Sequence, residues 1–238
     1  MLRAYDVCTC CADPYVIAGM SLKSWKDVTE AEFRVFLQGI PGPLAPRDSA
    51  YLLPLLLGRL IGAKGFYDRE PTWVFSRSGF GDALTRLTPR RRHAADVCAA
   101  RIVGWRASAD LPIPWYDEGD VAVALVGTGF EAGRIADVLS DLPPTPGAAW
   151  MLADLVTTMT AYGEGLSLGR AVDRGSRGLD RATKEAATVA LDRVFRADST
   201  LATLEAGAVG DDDHVAQVAS GAHAAFERYV GMGPGRTR

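Results

Sequence analysis

Apolar residues recur at every third or fourth position through most of this chain, in segments that are separated by proline and glycine. Such spacing places apolar side chains on one face of a helix, whereas half-buried strands alternate apolar and polar residues. Only residues 72–75 and 121–126 have the composition of strands, and two isolated strands do not build a sheet core. We therefore predict a mostly α fold, either an irregular helical bundle or a repeat-like stack of helix pairs.

Capping residues and prolines predict where the main helices begin. Thr29 and Glu32 form a capping box, and Pro89 and Pro146 each follow a threonine at the start of an apolar periodic segment. Together with the acidic residues before the last such segment, these signals predict helices over about 30–38, 49–64, 89–106, 146–162 and 211–229. In the third of these helices, the apolar residues expected to face the core are Ala94, Val97, Cys98, Ile102 and Trp105.

The proline-rich residues 111–116 predict an extended connector, because each proline disfavours a helical conformation in the residue before it. This connector divides the chain into an expected N-terminal lobe over residues 1–110 and a C-terminal lobe over 111–238, unless the two form one continuous domain. Residues 163–178 are rich in glycine and predict a loop.

Charge and hydropathy exclude some partners. The chain has 26 basic and 29 acidic residues, so its formal net charge of −3 gives no bulk positive field, and general binding to nucleic acid is not expected. The most apolar run, residues 51–61, is shorter than the roughly 20 residues that cross a bilayer, so no membrane association is expected. The first residues lack the apolar stretch of a secretory signal, and we expect a cytoplasmic protein.

Three of the four cysteines, Cys8, Cys10 and Cys11, lie within four positions of one another. Thiolates that lie this close together are typical ligands of Zn²⁺ or participants in redox sensing. Adjacent Cys10 and Cys11 do not easily point at one ion, and a fourth ligand would have to come from elsewhere. The alternative is that the cluster consists of small, partly buried hydrophobic side chains near a docked N-terminus. We expect the fourth cysteine, Cys98, to face the core of its own helix.

One glycine motif resembles a cofactor-binding signature. Gly127, Gly129 and Ala132 match the G-x-G-x-x-A turn that holds a pyrophosphate between a strand and a helix. That turn requires a strand over 121–126 and a second strand later in the chain, and the residues that follow predict only another helix. The alternative is a buried helix that begins after the acids near residue 118 and breaks at the glycines.

Residues 165–169 match the G-x-S-x-G nucleophile elbow, but no strand precedes them, and a glycine-rich loop explains the match better. A catalytic site assembled from scattered side chains stays open, because one sequence does not show spatial proximity. The groups that such a site could use are Asp13, His93, Asp117 and Glu164.

Charge is segregated along the chain. Residues 86–106 contain six arginines against one aspartate, whereas residues 205–227 contain five acids and no lysine or arginine. Each segment is ordinarily a solvated face, but the two could also bind different partners, or each other across a homo-oligomer. The candidate partner-binding residues are Arg86, Arg90, Arg91, Arg92, Asp211, Asp212 and Asp213.

The order of these features resembles a group of uncharacterised bacterial proteins that begin with a Cys-x-Cys-Cys motif followed by an acidic residue and proline. The matching residues are Cys8, Cys10, Cys11, Asp13 and Pro14. The group continues into a helix with a FLPR-LEL-like sequence, which residues 51–57 match, although this chain has Leu55 where the pattern has arginine. The resemblance implies a helical fold and assigns no activity.

The sequence contains no complete catalytic set, so our working hypothesis is a non-enzymatic, cytoplasmic α-helical protein that binds another protein or itself and needs no cofactor. The alternative hypothesis is a thiolate site that binds zinc or senses oxidants through Cys8, Cys10 and Cys11.

Overall fold

A computed structural model describes residues 12–38, 46–61, 74–75, 80–108, 118–160 and 179–231 of the chain. Within these ranges the protein is all helical, with eleven α-helices and no strand, which confirms the predicted fold class. The helices are α1 (Pro14–Ser21), α2 (Glu30–Gln38), α3 (Pro46–Ile61), α4 (Phe80–Thr85), α5 (Pro89–Ala107), α6 (Glu118–Thr128), α7 (Ala132–Ser140), α8 (Pro146–Thr160), α9 (Arg181–Val194), α10 (Asp198–Ala208) and α11 (Asp213–Gly231).

The predicted start signals are confirmed at α2, α5 and α8. The Thr29 amide donates to Glu32 Oε2 at 2.8 Å, and the Glu32 amide donates back to Thr29 Oγ1 at 3.3 Å, which is the expected capping box. Pro89 and Pro146 are the first residues of their helices. Four helices, α1, α4, α9 and α10, were not predicted, because they are short or present small residues in place of a stripe of large apolar side chains.

The segment 121–126 is helical, so the alternative of a strand leading into a dinucleotide turn is wrong. All of residues 119–128 are buried, and α6 packs against α8 over most of its length. A helix buried on every side loses its polar face, and its sequence then resembles the continuous apolar run of a buried strand. The turn at Gly129 has φ +100°, which only glycine adopts easily, and it ends the helix where expected.

Helices α6 and α8 cross so closely at Gly119 that no side chain fits between them there. A Cβ atom placed on Gly119 would lie 2.2 Å from the backbone nitrogen of Leu155. The Gly119 amide also donates to Asp154 Oδ2 at 2.7 Å. Gly207 brings α10 against α8 in the same way, since its Cβ would lie 2.4 Å from the Cβ of Ala149.

Helix α8 is the element around which the C-terminal helices are arranged. It packs against α6, α10 and α11, and also against α5. In the described part of the chain α5 makes no extensive contact with α10 or α11. The two charged segments of the sequence therefore belong to helices that are connected mainly through α8.

Helix α3 joins the N-terminal helices to this arrangement, because it packs against both α4 and α5. Buried side chains from Ala12 to Phe226 belong to one contiguous core. The connector over 111–116 and the loop over 163–178 lie outside the described residues, and the division into two lobes stays a prediction. None of the helices in the described ranges has the length and apolarity that crossing a membrane requires.

Candidate functional site

Helix α5 carries the basic segment, and its buried side differs from the predicted one. Of the five apolar residues expected to face the core, only Ile102 is buried, whereas Ala94 is exposed and Trp105 is 46% exposed. Val97 and Cys98 are half-buried, so the prediction that Cys98 faces the core holds only partly. The residues of α5 that are buried are Asp96, Ala99, Ala100, Ile102, Val103, Arg106 and Ala107.

Small residues explain why this side of α5, and not the predicted side, faces the core. Ala99, Ala100 and Ala107 allow close approach of neighbouring backbones, and a Cβ on Gly104 would lie 3.2 Å from Val138 of α7. The larger apolar side chains are left on the outer side. In the sequence, the buried side of α5 is marked by a stripe of small residues. Two charged residues, Asp96 and Arg106, lie within this stripe and make it hard to recognise.

Two arginines of the basic segment are structural. Arg106 is 2% exposed, and its Nη1 donates to the carbonyl oxygen of Leu60 at 2.6 Å, at the C-terminal end of α3. An arginine at this position satisfies one of the carbonyls that a helix end leaves without a partner. Arg106 therefore fastens α5 to α3 and does not contribute to an outer charged surface.

Arg92 has a similar internal role. Its Nε donates to Asp96 Oδ2 at 2.8 Å, and its Nη2 donates to the carbonyl oxygen of Gly129. The other oxygen of Asp96, Oδ1, accepts from the Glu131 amide at 2.9 Å, just before α7 begins. Asp96 is 5% exposed, so this pair links α5 to the α6–α7 turn in a largely dry environment. Arg92 was predicted as a partner-binding residue, and the structure places it in this internal contact.

The four remaining arginines of the segment are exposed. The side chains of Arg86, Arg90, Arg91 and Arg101 make no ion pair or hydrogen bond with any residue of the chain that the structure describes. Elsewhere in the same ranges arginines pair with carboxylates, as in Arg193 with Asp137 at 2.8 Å. We call the surface formed by Arg86, Arg90, Arg91, Arg101 and Trp105 the basic face.

The basic face combines charge with apolar contact area. Arg90, Ala94, Arg101 and Trp105 are separated by four, seven and four positions, so they lie on one side of α5 along about 22 Å. Cys98 lies beside them, and burial raises the pKa of its thiol, while the charge of Arg101 opposes that rise. Exposed arginines around a large aromatic side chain are typical of protein-binding surfaces.

The second charged segment begins with Asp211, Asp212 and Asp213. Asp212 Oδ1 accepts from the amides of His214 and Val215, both at 3.0 Å, so this carboxylate caps α11 and is structural. Asp211 and Asp213 are exposed.

Two glutamates extend this negative surface. Glu205 and Glu227 are exposed and lie 3.4 Å and 3.8 Å from the ring nitrogens of His223. Residues 197–227 contain no lysine or arginine that could neutralise these carboxylates. We call the surface formed by Glu205, Asp211, Asp213 and Glu227 the acidic face.

A groove of about 840 Å³ lies between α9 and the start of α7, next to the turn at Gly129. Its apolar lining residues are Val126, Phe130, Ala132, Ala186, Ala187, Val189 and Ala190. The charged residues at its rim are paired within the chain: Arg193 with Asp137, and Arg196 with Asp192 at 2.7 Å. The groove therefore offers apolar contact but, unlike the basic face, no unpaired arginine.

The cysteine cluster of Cys8, Cys10 and Cys11 lies outside the described residues, as do Asp117 and Glu164 of the scattered set and the motif over 165–169. The thiolate site therefore stays a prediction. Of the other scattered residues, Asp13 caps α1 by accepting from the Tyr15 amide at 2.8 Å, and His93 is exposed on α5. Among the described residues no group of three or more His, Cys, Asp or Glu side chains has the arrangement of a metal site.

Comparisons with protein families, with curated proteins and with solved structures find no match to this chain. The resemblance to the Cys-x-Cys-Cys proteins stays a prediction from the sequence.

Proposed function

We propose that this is a cytoplasmic, protein-binding protein that recognises a negatively charged surface of its partner through the basic face of α5. The observation that carries the proposal is a difference between the arginines of this segment. The side chains of Arg92 and Arg106 make internal contacts, whereas those of the basic face have no partner in the described part of the chain. A cysteine cluster without the spacing of a disulfide framework supports a reducing compartment.

Unpaired surface charge mainly affects how quickly and how specifically a partner binds. Complementary potentials steer encounter and disfavour partners of like charge, while an exposed aromatic side chain supplies the apolar area that holds the complex. Arg90, Arg101 and Trp105 share one side of α5, so both contributions act on one binding surface.

Site-specific photocrosslinking in cells tests this proposal. A photoreactive amino acid at Ala94, which is exposed among the arginines, is expected to form a covalent adduct with another protein chain. The adduct should be lost when Arg90→Glu and Arg91→Glu are introduced, because the reversed charges repel an acidic partner. The same probe at Ala182, which is exposed on α9, serves as the control position.

Arg181→Glu is the matched control variant, because it reverses an exposed arginine that pairs with Glu185 and does not belong to the basic face. It should leave the adduct at Ala94 unchanged. Equal crosslinking from Ala94 and Ala182, or an adduct that survives reversal of Arg90 and Arg91, would contradict the proposal.

A further inference from the structure

We propose that the partner bound at the basic face is a second copy of this chain, which presents its acidic face. This inference rests on the proposed function, since it names the occupant of the same surface. The two faces are complementary in charge. One has four arginines whose side chains have no partner among the described residues, and the other has four exposed carboxylates in a stretch without lysine or arginine.

The two faces do not neutralise each other within one molecule. Helix α5, which carries most of the basic face, makes no extensive contact with α10 or α11 in the described part of the chain. In the described ranges no ion pair joins a residue of the basic face to one of the acidic face. Each copy therefore offers both halves of a complementary contact.

The geometry of such a contact is head to tail. The basic face of one copy meets the acidic face of the next, so the first copy keeps a free acidic face and the second a free basic face. A contact between two different surfaces forms a closed ring only if the rotation between copies allows closure, and otherwise forms an open chain. Self-association should therefore increase with protein concentration, either to a closed assembly of two or more copies or to an open chain.

Sedimentation velocity of the full chain over a range of concentrations tests the inference. In about 0.1 M salt, where the Debye length is about 10 Å, the weight-average mass should rise with concentration to that of two or more copies. In about 1 M salt, where the Debye length is about 3 Å, the rise should be largely lost.

Two charge-reversal variants make the test specific. Arg90→Glu with Arg91→Glu cancels the net charge of the basic face, because two arginines and two glutamates remain there, and Asp211→Arg with Asp213→Arg cancels that of the acidic face in the same way. Each variant alone should associate at least about tenfold more weakly, whereas an equal mixture of the two should associate again, because the intact acidic face of the first variant meets the intact basic face of the second. Asp212 is left intact because it caps α11.

Glu205→Arg with Glu227→Arg is a second acidic-face variant that avoids the start of α11, and it should also associate when mixed with the basic-face variant. Arg181→Glu should associate like the original chain. Circular dichroism confirms that each variant is folded.

Two results would overturn the inference: a single copy at every concentration and salt, or charge-reversed variants that do not associate when mixed. If the Ala94 probe then still crosslinks to a different protein, the proposed function stands and only the identity of the partner is wrong. If that probe forms no specific adduct, the proposed function fails as well.

Discussion

Arginines lie on both sides of α5, but they have different roles on the two sides. On the inward side Arg92, Asp96 and Arg106 hold neighbouring helices through hydrogen bonds, and Asp96 and Arg106 are buried. On the outward side Arg90 and Arg101 have no partner in the described part of the chain. The comparison teaches that a charge count along a segment overestimates the charge available to a partner, because buried arginines contribute to folding.

The largest effect on stability should come from the inward side. Asp96→Ala removes an acceptor from the Glu131 amide and leaves Arg92 without its carboxylate, so we expect a loss of about 3 kcal/mol in the free energy of unfolding. Asp96→Asn is the control, because it keeps an acceptor for the amide and should lose less. Urea unfolding measures both, and a loss for Asp96→Ala below about 1 kcal/mol would contradict the internal role of this pair.

Removal of a paired charge that is only partly buried should have an intermediate effect on the free energy of unfolding. The hydrogen bond from Lys23, assisted by the Thr29 amide, lowers the pKa of Glu32 from 4.5 to about 2. A lowered carboxyl pKa stabilises the folded state above the unfolded pKa, and this stabilisation is lost as the pH falls from 4.5 through about 2.

Glu32→Gln tests that effect. The variant should be less stable than the original chain by about 1 kcal/mol near neutral pH, after allowance for solvent screening, and the difference should vanish near pH 2. Thermal unfolding across this pH range measures it. A difference that stays constant from pH 7 to pH 2 would show that the ion pair with Lys23 does not act through ionisation.

The smallest effect on stability should come from the outward side. Arg90→Glu with Arg91→Glu breaks no ion pair in the described ranges, so the free energy of unfolding should change by less than about 0.5 kcal/mol. Chemical unfolding of the same variant used for the association measurements provides the check. A loss comparable to that of Asp96→Ala would mean that these arginines are structural, and the comparison between the two sides of α5 would fail.

The sequence was sufficient for the fold class and for the starts of α2, α5 and α8, because helical periodicity and caps are local properties. The buried side of α5 was not predictable in the same way. Asp96 accepts from an amide 35 positions away, and nothing local distinguishes it from a surface aspartate. The basic face was therefore located in the correct segment, but which of its arginines are exposed required the structure.

Helices α9 and α10 show a second limit. Half of their buried positions are alanine or threonine, such as Ala187 and Thr203, which carry a weak apolar signal. The Asp180 side chain, which accepts from the Thr183 amide at 2.8 Å, was a start signal that could have located α9.

The contact at Gly119 limits how this protein can diverge or be redesigned. Most helix pairs can adjust their spacing when one side chain is exchanged for another. At Gly119, α6 and α8 lie so close together that no side chain larger than a hydrogen atom fits between them. Volume changes elsewhere in the interior must then be absorbed at contacts other than this crossing. The spacing of the other helices is thus more open to gradual change than that of α6 and α8 at Gly119.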